Sequence, residues 1–378
     1  GKQPVIFTFE IDEAGKNEWK TLKSVTVNAG KSVSVPFAST EKGEWIRVKT
    51  DKNTLATVSF NYTTADPRST SSDPIYQGLT TVKQNTTIGG LLYGLGDNRR
   101  ALGVLANVTV DGKTSETGYY EMGDKLELVR KEDTKTTDFI RSKFAIPQQV
   151  VSIEEGSVLI VDDLNRRWRL PLGDETYKEL TNQGVLRVCR EVATERDMFS
   201  CMGTFYELPA ENADGYAKIR PISTHNYRIN DYASYRGMLV LTGVTPEEGK
   251  ENPHIIVSDD GKAAVWVGVI DDLWTLGKPV GHGGPWKNTD VKVGIASDPY
   301  LIGFYDKKEL SLSHQSDKKV VITVEVDPTG NGDWMEYAAY AVQPGERFVQ
   351  QLPEAFQARW IRFVSDTDTK ATAWLDYK

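Results

Sequence analysis

Two cysteines, four histidines and no apolar run approaching the roughly 20 residues of a membrane-spanning helix are what this chain of 378 residues lacks most visibly. The missing run excludes a transmembrane helix. The scarcity of cysteine excludes a disulfide-dense scaffold or a multi-cysteine zinc module, leaving Cys189 and Cys201 as one pair. A basic excess is also missing: 45 Lys and Arg face 53 Asp and Glu, for a formal charge of −8. Phosphate backbones need a positive surface, so no nucleic-acid partner is expected. Nor is there an HExxH pair, a phosphate-binding glycine loop or a G-x-S-x-G nucleophile elbow. No helical apolar period of ten residues or more is evident, which points away from α-structure.

What is present is strand chemistry. Hydrophobic residues make up 39% and charged residues 26%, a globular balance, with 9 Trp, 16 Tyr and 12 Phe. Aromatic and β-branched residues favour pleated surfaces, and they occur in short runs between Asp, Asn and Gly turns. Such runs pair as hairpins: Leu91–Leu95 with Leu102–Ala106, Ser157–Val161 with Trp168–Leu170, His254–Val257 with Ala264–Val269, and Leu301–Phe304 with Leu310–Ser313. Val185–Cys189 and Met198–Tyr206 flank Ala193-Thr194-Glu195-Arg196-Asp197. A hairpin centred on Glu195 sets the two cysteines opposite each other, within disulfide reach; two small buried thiols are the alternative.

The strongest signal is internal. Residues 5–62 and 320–377 align without a gap at an offset of 315. Val5, Thr8, Glu10, Asp12, Gly15 and Trp19 match Val320, Thr323, Glu325, Asp327, Gly330 and Trp334. Trp45, Ile46, Arg47, Asp51, Ala56, Thr57 and Tyr62 match Trp360, Ile361, Arg362, Asp366, Ala371, Thr372 and Tyr377. Two tryptophans in ungapped register mark a duplication. Six blades of about 52 residues span 315, near the roughly 40–50 of propeller repeats, and the remainder leaves one more. The chain is therefore expected as all-β, one β-propeller domain over residues 1–378 with about seven blades. Val5–Phe9 would share a sheet with Trp360–Tyr377 and close the ring, since closure removes exposed edges. Two homologous small sandwiches flanking a central β domain are the alternative.

Arg220-Pro221-Ile222-Ser223-Thr224-His225-Asn226, Tyr235-Arg236-Gly237-Met238-Leu239-Val240, Asp271-Asp272-Leu273-Trp274, Gly283-Gly284-Pro285-Trp286 and Ser297-Asp298-Pro299-Tyr300-Leu301 carry a family likeness. They resemble a family of largely uncharacterised exported proteins of gut Bacteroidetes and their relatives. The likeness covers about half the chain. It implies a glycan context and carries no catalytic assignment.

Irregular, Gly-rich sequence is concentrated in residues 218–300, with three of the histidines. His225 is the expected acid/base, because imidazole titrates near neutrality. Arg228 and Arg236, with Asn226 and Tyr235 beside them, are expected to clamp a sugar carboxylate. Asp272 or Asp298 would be the second acid, as glycosidases need two carboxyl groups at a defined separation. His282 and Trp286, in a tight Gly-rich loop, are expected at the mouth of the site, with Trp286 as a sugar platform. Asp259-Asp260-Gly261 is a degenerate form of the sialidase-type Asp box, read as a turn. Asp327–Asp333 partly follows the calcium-loop pattern, although its duplicate at Asp12 lacks the side-chain oxygens, so an ordinary Asp/Gly turn and no cofactor are expected.

These readings combine into an exported carbohydrate-active protein, secreted or periplasmic with its leader removed, and monomeric. Its ligand would be an acidic or rhamnose-containing oligosaccharide, cleaved by hydrolysis or elimination. A non-catalytic glycan-binding propeller and a protein-interaction scaffold are the alternatives.

Overall fold

The computed structural model describes residues 2–38, 40–62, 65–96, 100–193, 196–353 and 356–378. Among these, strands form six sheets, of three, seven, four, four, four and four strands, rather than a set of equal blades. No helix among the described residues is long and apolar enough to cross a membrane.

Strand composition decides how the sheets stack. Successive side chains point to opposite faces, so a strand apolar at every position must lie between two layers. The sheet built from Tyr232–Tyr235, Met238–Leu241, Ile255–Val257 and Ala264–Gly268 is of this kind. Tyr232, Leu239, Leu241 and Trp266 enter one core, while Tyr235, Val240, Val265 and Val267 enter another. The first core is shared with the sheet of Cys189–Ala193, Arg196–Cys201, Thr204–Pro209 and Arg220–Thr224, through Met198 and Phe205. The second is shared with the meander of Thr86–Gly94, Leu102–Val110, Lys113–Met122 and Leu128–Lys131. Phe199 and Tyr206, on the far face of the 189–224 sheet, enter the largest core. There they meet the seven-stranded sheet and the sheet holding Gly281–Val291, Thr369–Tyr377, Lys308–His314 and Phe348–Gln351.

This stack is not closed by its termini. Val5–Asp12 pairs with Trp19–Val27 on one edge and Trp45–Thr50 on the other, so neither edge is left for the C-terminal strands. The C-terminal unit brings its own equivalents: Val320–Asp327 lies between Met335–Val342 and Trp360–Ser365. The expected N-to-C joint is thus replaced by two separate sheets with the same internal pattern. Both contain a register shift at the same place, Phe9/Glu10 and Val324/Glu325. Both also carry the same ion pair at 2.6 Å, Arg47 to Glu10 and Arg362 to Glu325. At the other end, the outer face of the 86–131 meander is covered by a helix, through Leu105, Tyr119 and Ile140.

That helix, Thr134–Lys143, and a second, Thr176–Asn182, correct the expectation of no helices. Asp133 caps the first by accepting from the Thr136 amide, and Arg141 and Lys143 complement its C-terminus. Only Thr137 and Ile140 are buried on it, so it has no apolar stripe to betray it.

The cysteines are free thiols. Cys189 lies opposite Phe199, and Cys201 opposite Thr204. Cys189 thus meets a residue two positions short of Cys201: the Ala193–Arg196 pairing already differs by one from a centring on Glu195, and the ladder slips by one more between Glu191 and Ala193. Thr194 and Glu195 themselves lie outside the described residues.

Candidate functional site

The expected catalytic groups each sit in a local contact of their own. His225 is 9% exposed, with its ring against Phe205 at 4.9 Å and Tyr227 at 6.1 Å between centroids. Its Nδ1 accepts from the Tyr227 amide at 3.1 Å, and its Nε2 is buried without a partner among the described residues. Burial pushes its pKa down to about 3, so the ring is neutral at physiological pH. Asp272 closes its own turn, accepting from the Val269 amide at 2.7 Å. Asp298 is paired with Arg167 at 3.0 Å and with Arg169 at 2.7 Å. Among the described residues no hydrogen bond or ion pair joins these three.

The expected binding residues divide in the same way. Arg228 is buried, with no carboxylate partner among the described residues, whereas Arg236 is exposed at a hairpin tip with φ 51°. The two cannot clamp one group from inside and outside the fold. Asn226 is exposed, and Tyr235 is a core residue whose hydroxyl donates to the Arg100 carbonyl at 2.8 Å. His282 is half-buried and stacks on Trp374 at 5.7 Å. Trp286 is 5% exposed and packs on Phe363, so it has no face for a sugar.

The two acidic loops are turns. Ser258 Oγ donates to Asp260 at 2.7 Å and accepts from the amide of Ala263 at 3.0 Å. Asp327 accepts from the amides of Gly330 at 2.8 Å and Gly332 at 2.7 Å. Lys218 Nζ binds that second loop, donating to the Thr329 carbonyl and to Asn331.

His225 makes a pH prediction. Its folded-state pKa of about 3 lies below the unfolded value near 6.5, so over that window only the unfolded chain takes up the proton. Stability should therefore fall as pH drops from about 6.5, by up to about 1.4 kcal/mol per pH unit from this group. Urea unfolding at pH 7.5 and 4.5 is expected to show a smaller pH-dependent loss for His225→Gln than for the unmodified chain. Equal losses would show that the buried ring does not govern acid sensitivity.

A different set of residues converges where the largest core meets the 189–224 sheet. Arg220 begins the strand Arg220–Thr224, Trp274 sits in the 3-10 turn Ile270–Thr275, and Phe304 follows the short strand Tyr300–Leu301. The Arg220 guanidinium carbon is 4.9 Å from the Trp274 ring centroid and 4.7 Å from that of Phe304. Arg68 lies 4.9 Å from Trp274, and Arg359 lies 4.9 Å from Phe304. The result is an alternating series: Arg68, Trp274, Arg220, Phe304, Arg359. Ring faces attract cations, which holds the guanidiniums in place despite their like charge.

The three arginines are not equivalent. Arg68 is bonded to Asp66, with its closest contact at 2.7 Å, and to the Ile222 carbonyl at 2.7 Å. Arg359 donates to the Lys218 carbonyl at 2.8 Å and that of Ile219 at 3.1 Å. Burial and the neighbouring Arg220 charge together hold Arg359 below the usual guanidinium range. Arg220 lies opposite Glu207 in the ladder, Glu207 pairs instead with Arg196 at 3.1 Å, and the buried Arg220 Nε has no acceptor among the described residues. Nearby, Lys278 pairs with Asp306 at 3.1 Å, and Asp306 also accepts from the Asp66 amide. Glu207, opposite Arg220 in the strand ladder, and Asp327 also act on Arg359, so four carboxylates face these four cations.

Phe304 adds backbone strain. It has φ 69°, a left-handed conformation that bulky residues rarely adopt, and its ring is 37% exposed. Its amide donates to Gln357 Oε1 at 2.8 Å, which holds the turn. Strain of this kind persists where the surroundings enforce a side-chain position.

Elsewhere, a cleft of about 330 Å³ is lined by Asp162, Asp163, Arg166, Asp197, Glu211 and Tyr216 among others. Burial raises the Asp197 carboxyl above its ordinary range. Four acids against one arginine disfavour an anion in this cleft.

No family model and no curated protein matches the chain. Among solved structures it is similar to PirA at 16% identity and a TM-score of 0.16, over 26% of this chain and 84% of that one. A glycoside hydrolase family 43 arabinoxylan arabinofuranohydrolase from Bacillus subtilis aligns at 11% identity and a TM-score of 0.18, over 78% of this chain and 79% of that one. The Bombyx mori GH32 β-fructofuranosidase aligns at 12% identity and 0.17, over 77% and 79%. At these scores none of them assigns a fold or an activity.

Proposed function

We propose that this chain is an exported protein that binds acidic oligosaccharides without cleaving them, with Arg220 as the carboxylate-recognising group. The carrying observation is a guanidinium fixed between Trp274 and Phe304, with a buried Nε that lacks an acceptor among the described residues. A uronic acid carboxylate supplies the missing acceptor, and bidentate pairing is the geometry a guanidinium favours. The aromatic rings keep Arg220 extended before the ligand arrives, which lowers the ordering cost of binding. Binding rather than catalysis is supported by the partners that His225, Asp272 and Asp298 each have elsewhere, with no hydrogen bond or ion pair joining them among the described residues. The glycan context and export follow from the sequence resemblance.

Calorimetric titration with oligogalacturonate and with its methyl ester tests the reading. The acid form is expected to bind, the ester to bind at least tenfold more weakly, and Arg220→Ala to lose the difference between them. Arg220→Lys should recover part of it, since the charge remains but the planar fork does not. Equal affinity for acid and ester would overturn the carboxylate assignment. Release of shorter products on incubation would overturn the non-catalytic one.

A further inference from the structure

Tyr227 and Ile229 turn into the core shared by the 189–224 and 232–268 sheets. Side chains alternate along extended backbone, so Arg228 and Asn230 point the other way. The stretch that carries them is fixed from three sides. The Arg228 amide donates to the Thr80 carbonyl at 2.7 Å, and the Asn230 amide to that of Thr242 at 3.1 Å. The Asn230 carbonyl accepts from the Arg187 amide at 2.8 Å. Two glycines let this junction close: a Cβ on Gly243 would collide with the Arg228 carbonyl, and one on Gly89 would come within 2.6 Å of Asn230 Oδ1.

Two polar groups on this face have no partner in the chain. Arg228 is 6% exposed, its buried Nε has no acceptor, and no ion pair or ring contact engages its guanidinium among the described residues. Burial holds it below the usual guanidinium range, with no neighbouring charge among the causes. The carboxylate nearest in sequence, Asp231, is engaged by Arg187 and Arg190. Thr80, across from Arg228, shares its hydroxyl with Thr87 at 2.7 Å and Thr245 at 2.9 Å. Asn230 is 7% exposed and donates through Nδ2 to the Val185 carbonyl at 3.2 Å, which fixes the turn of its amide. Its Oδ1 is then left buried without a donor among the described residues.

We propose that the Arg228–Asn230 junction binds a compact oxyanion that keeps one hydroxyl, the chemistry of bicarbonate. A guanidinium stays charged in a protein, and buried charge is costly unless an opposite charge meets it. A halide would answer Arg228 but set a second acceptor beside Asn230 Oδ1. A protonated oxyanion answers both: its oxygens accept from the guanidinium, and its O–H donates to the amide oxygen. The burial of both residues leaves room for a small ion and not for a sugar acid. Bound there, the ion ties residues 80–82, 185–187 and 242–245 to one centre. This inference is independent of the glycan reading, which rests on Arg220.

Thermal unfolding of the full chain at pH 8 and constant ionic strength, with potassium bicarbonate as the probe, tests the site. The midpoint is expected to rise by about 3 °C at a 100-fold excess over the dissociation constant, and not to rise in potassium chloride. Arg228→Met should abolish the rise. Asn230→Asp should abolish it too, because the chain then supplies its own carboxylate to Arg228. The resonance of 13C-labelled bicarbonate reads binding without unfolding: the unmodified chain should broaden it, and neither variant should. An equal rise in chloride, a rise retained in Asn230→Asp, or an unbroadened resonance with the unmodified chain would each overturn the proposal.

Discussion

Replacing Asp231 by alanine is expected to destabilise the fold by about 3–5 kcal/mol, the cost of stranding buried charge without its counter-ion. Asp231 is fully buried. It accepts from Arg187 at 2.9 and 3.0 Å and from Arg190 at 3.0 Å. The amides of Leu92 at 2.9 Å and Tyr232 at 2.8 Å complete its shell. These partners come from three different sheets, so one carboxylate ties the 86–131 meander, the 189–224 sheet and the 232–268 sheet together. Arg187 reaches on to the Phe144 carbonyl at 2.7 Å, just beyond the helix that caps the stack. Without Asp231, two guanidiniums would remain in the interior with only carbonyls to face. Arg190→Met should cost less, because Arg187 and Asp231 still neutralise each other. Urea unfolding of the two variants checks the order, and the Asp231 loss should persist at high salt because the pair is shielded from solvent. A loss below about 1 kcal/mol for Asp231→Ala would mean the cluster is hydrated rather than sealed.

That cluster was not legible in the sequence, and the reason is physical. Local pattern reveals strands whose partner is the next segment along. Ser157–Val161 with Trp168–Leu170 is realised as Val158–Val161 against Arg167–Leu170, and His254–Val257 with Ala264–Val269 as Ile255–Val257 against Ala264–Gly268. Leu301–Phe304 does not pair with Leu310–Ser313. Tyr300–Leu301 instead bridges Arg169 and the strand at Trp360, while Lys308–His314 inserts between two C-terminal strands. Turn residues carry no information about such long-range neighbours. The arginine series is hidden for the same reason: Arg68, Arg220, Trp274, Phe304 and Arg359 have no common spacing. The only local signal lay in Arg220 and Trp274, which fall inside the stretches of family likeness. His225, Arg228 and Trp286 have chemistry that suits a binding site, and the structure buries all three, Trp286 within the largest core.

Trp360→Ala is expected to cost about 3–5 kcal/mol, and its duplicate Trp45→Ala no more than about 0.5 kcal/mol. The two residues occupy the same register position, opposite Asp327 and Asp12 in equivalent ladders. Local sequence and backbone pairing are thus nearly constant between them. Only the surroundings differ. Trp360 is 0% exposed, lies 4.7 Å from Trp168 between ring centroids, and donates its indole N–H to the Ala217 carbonyl at 2.9 Å. Trp45 is 65% exposed. Truncating the first opens a cavity among side chains that cannot collapse and orphans a buried carbonyl; truncating the second returns a surface ring to water. Denaturant midpoints of the two variants, with hydrogen exchange in residues 5–50 to read the N-terminal sheet separately, measure both. A comparably large loss for Trp45→Ala would mean that this ring is covered in solution.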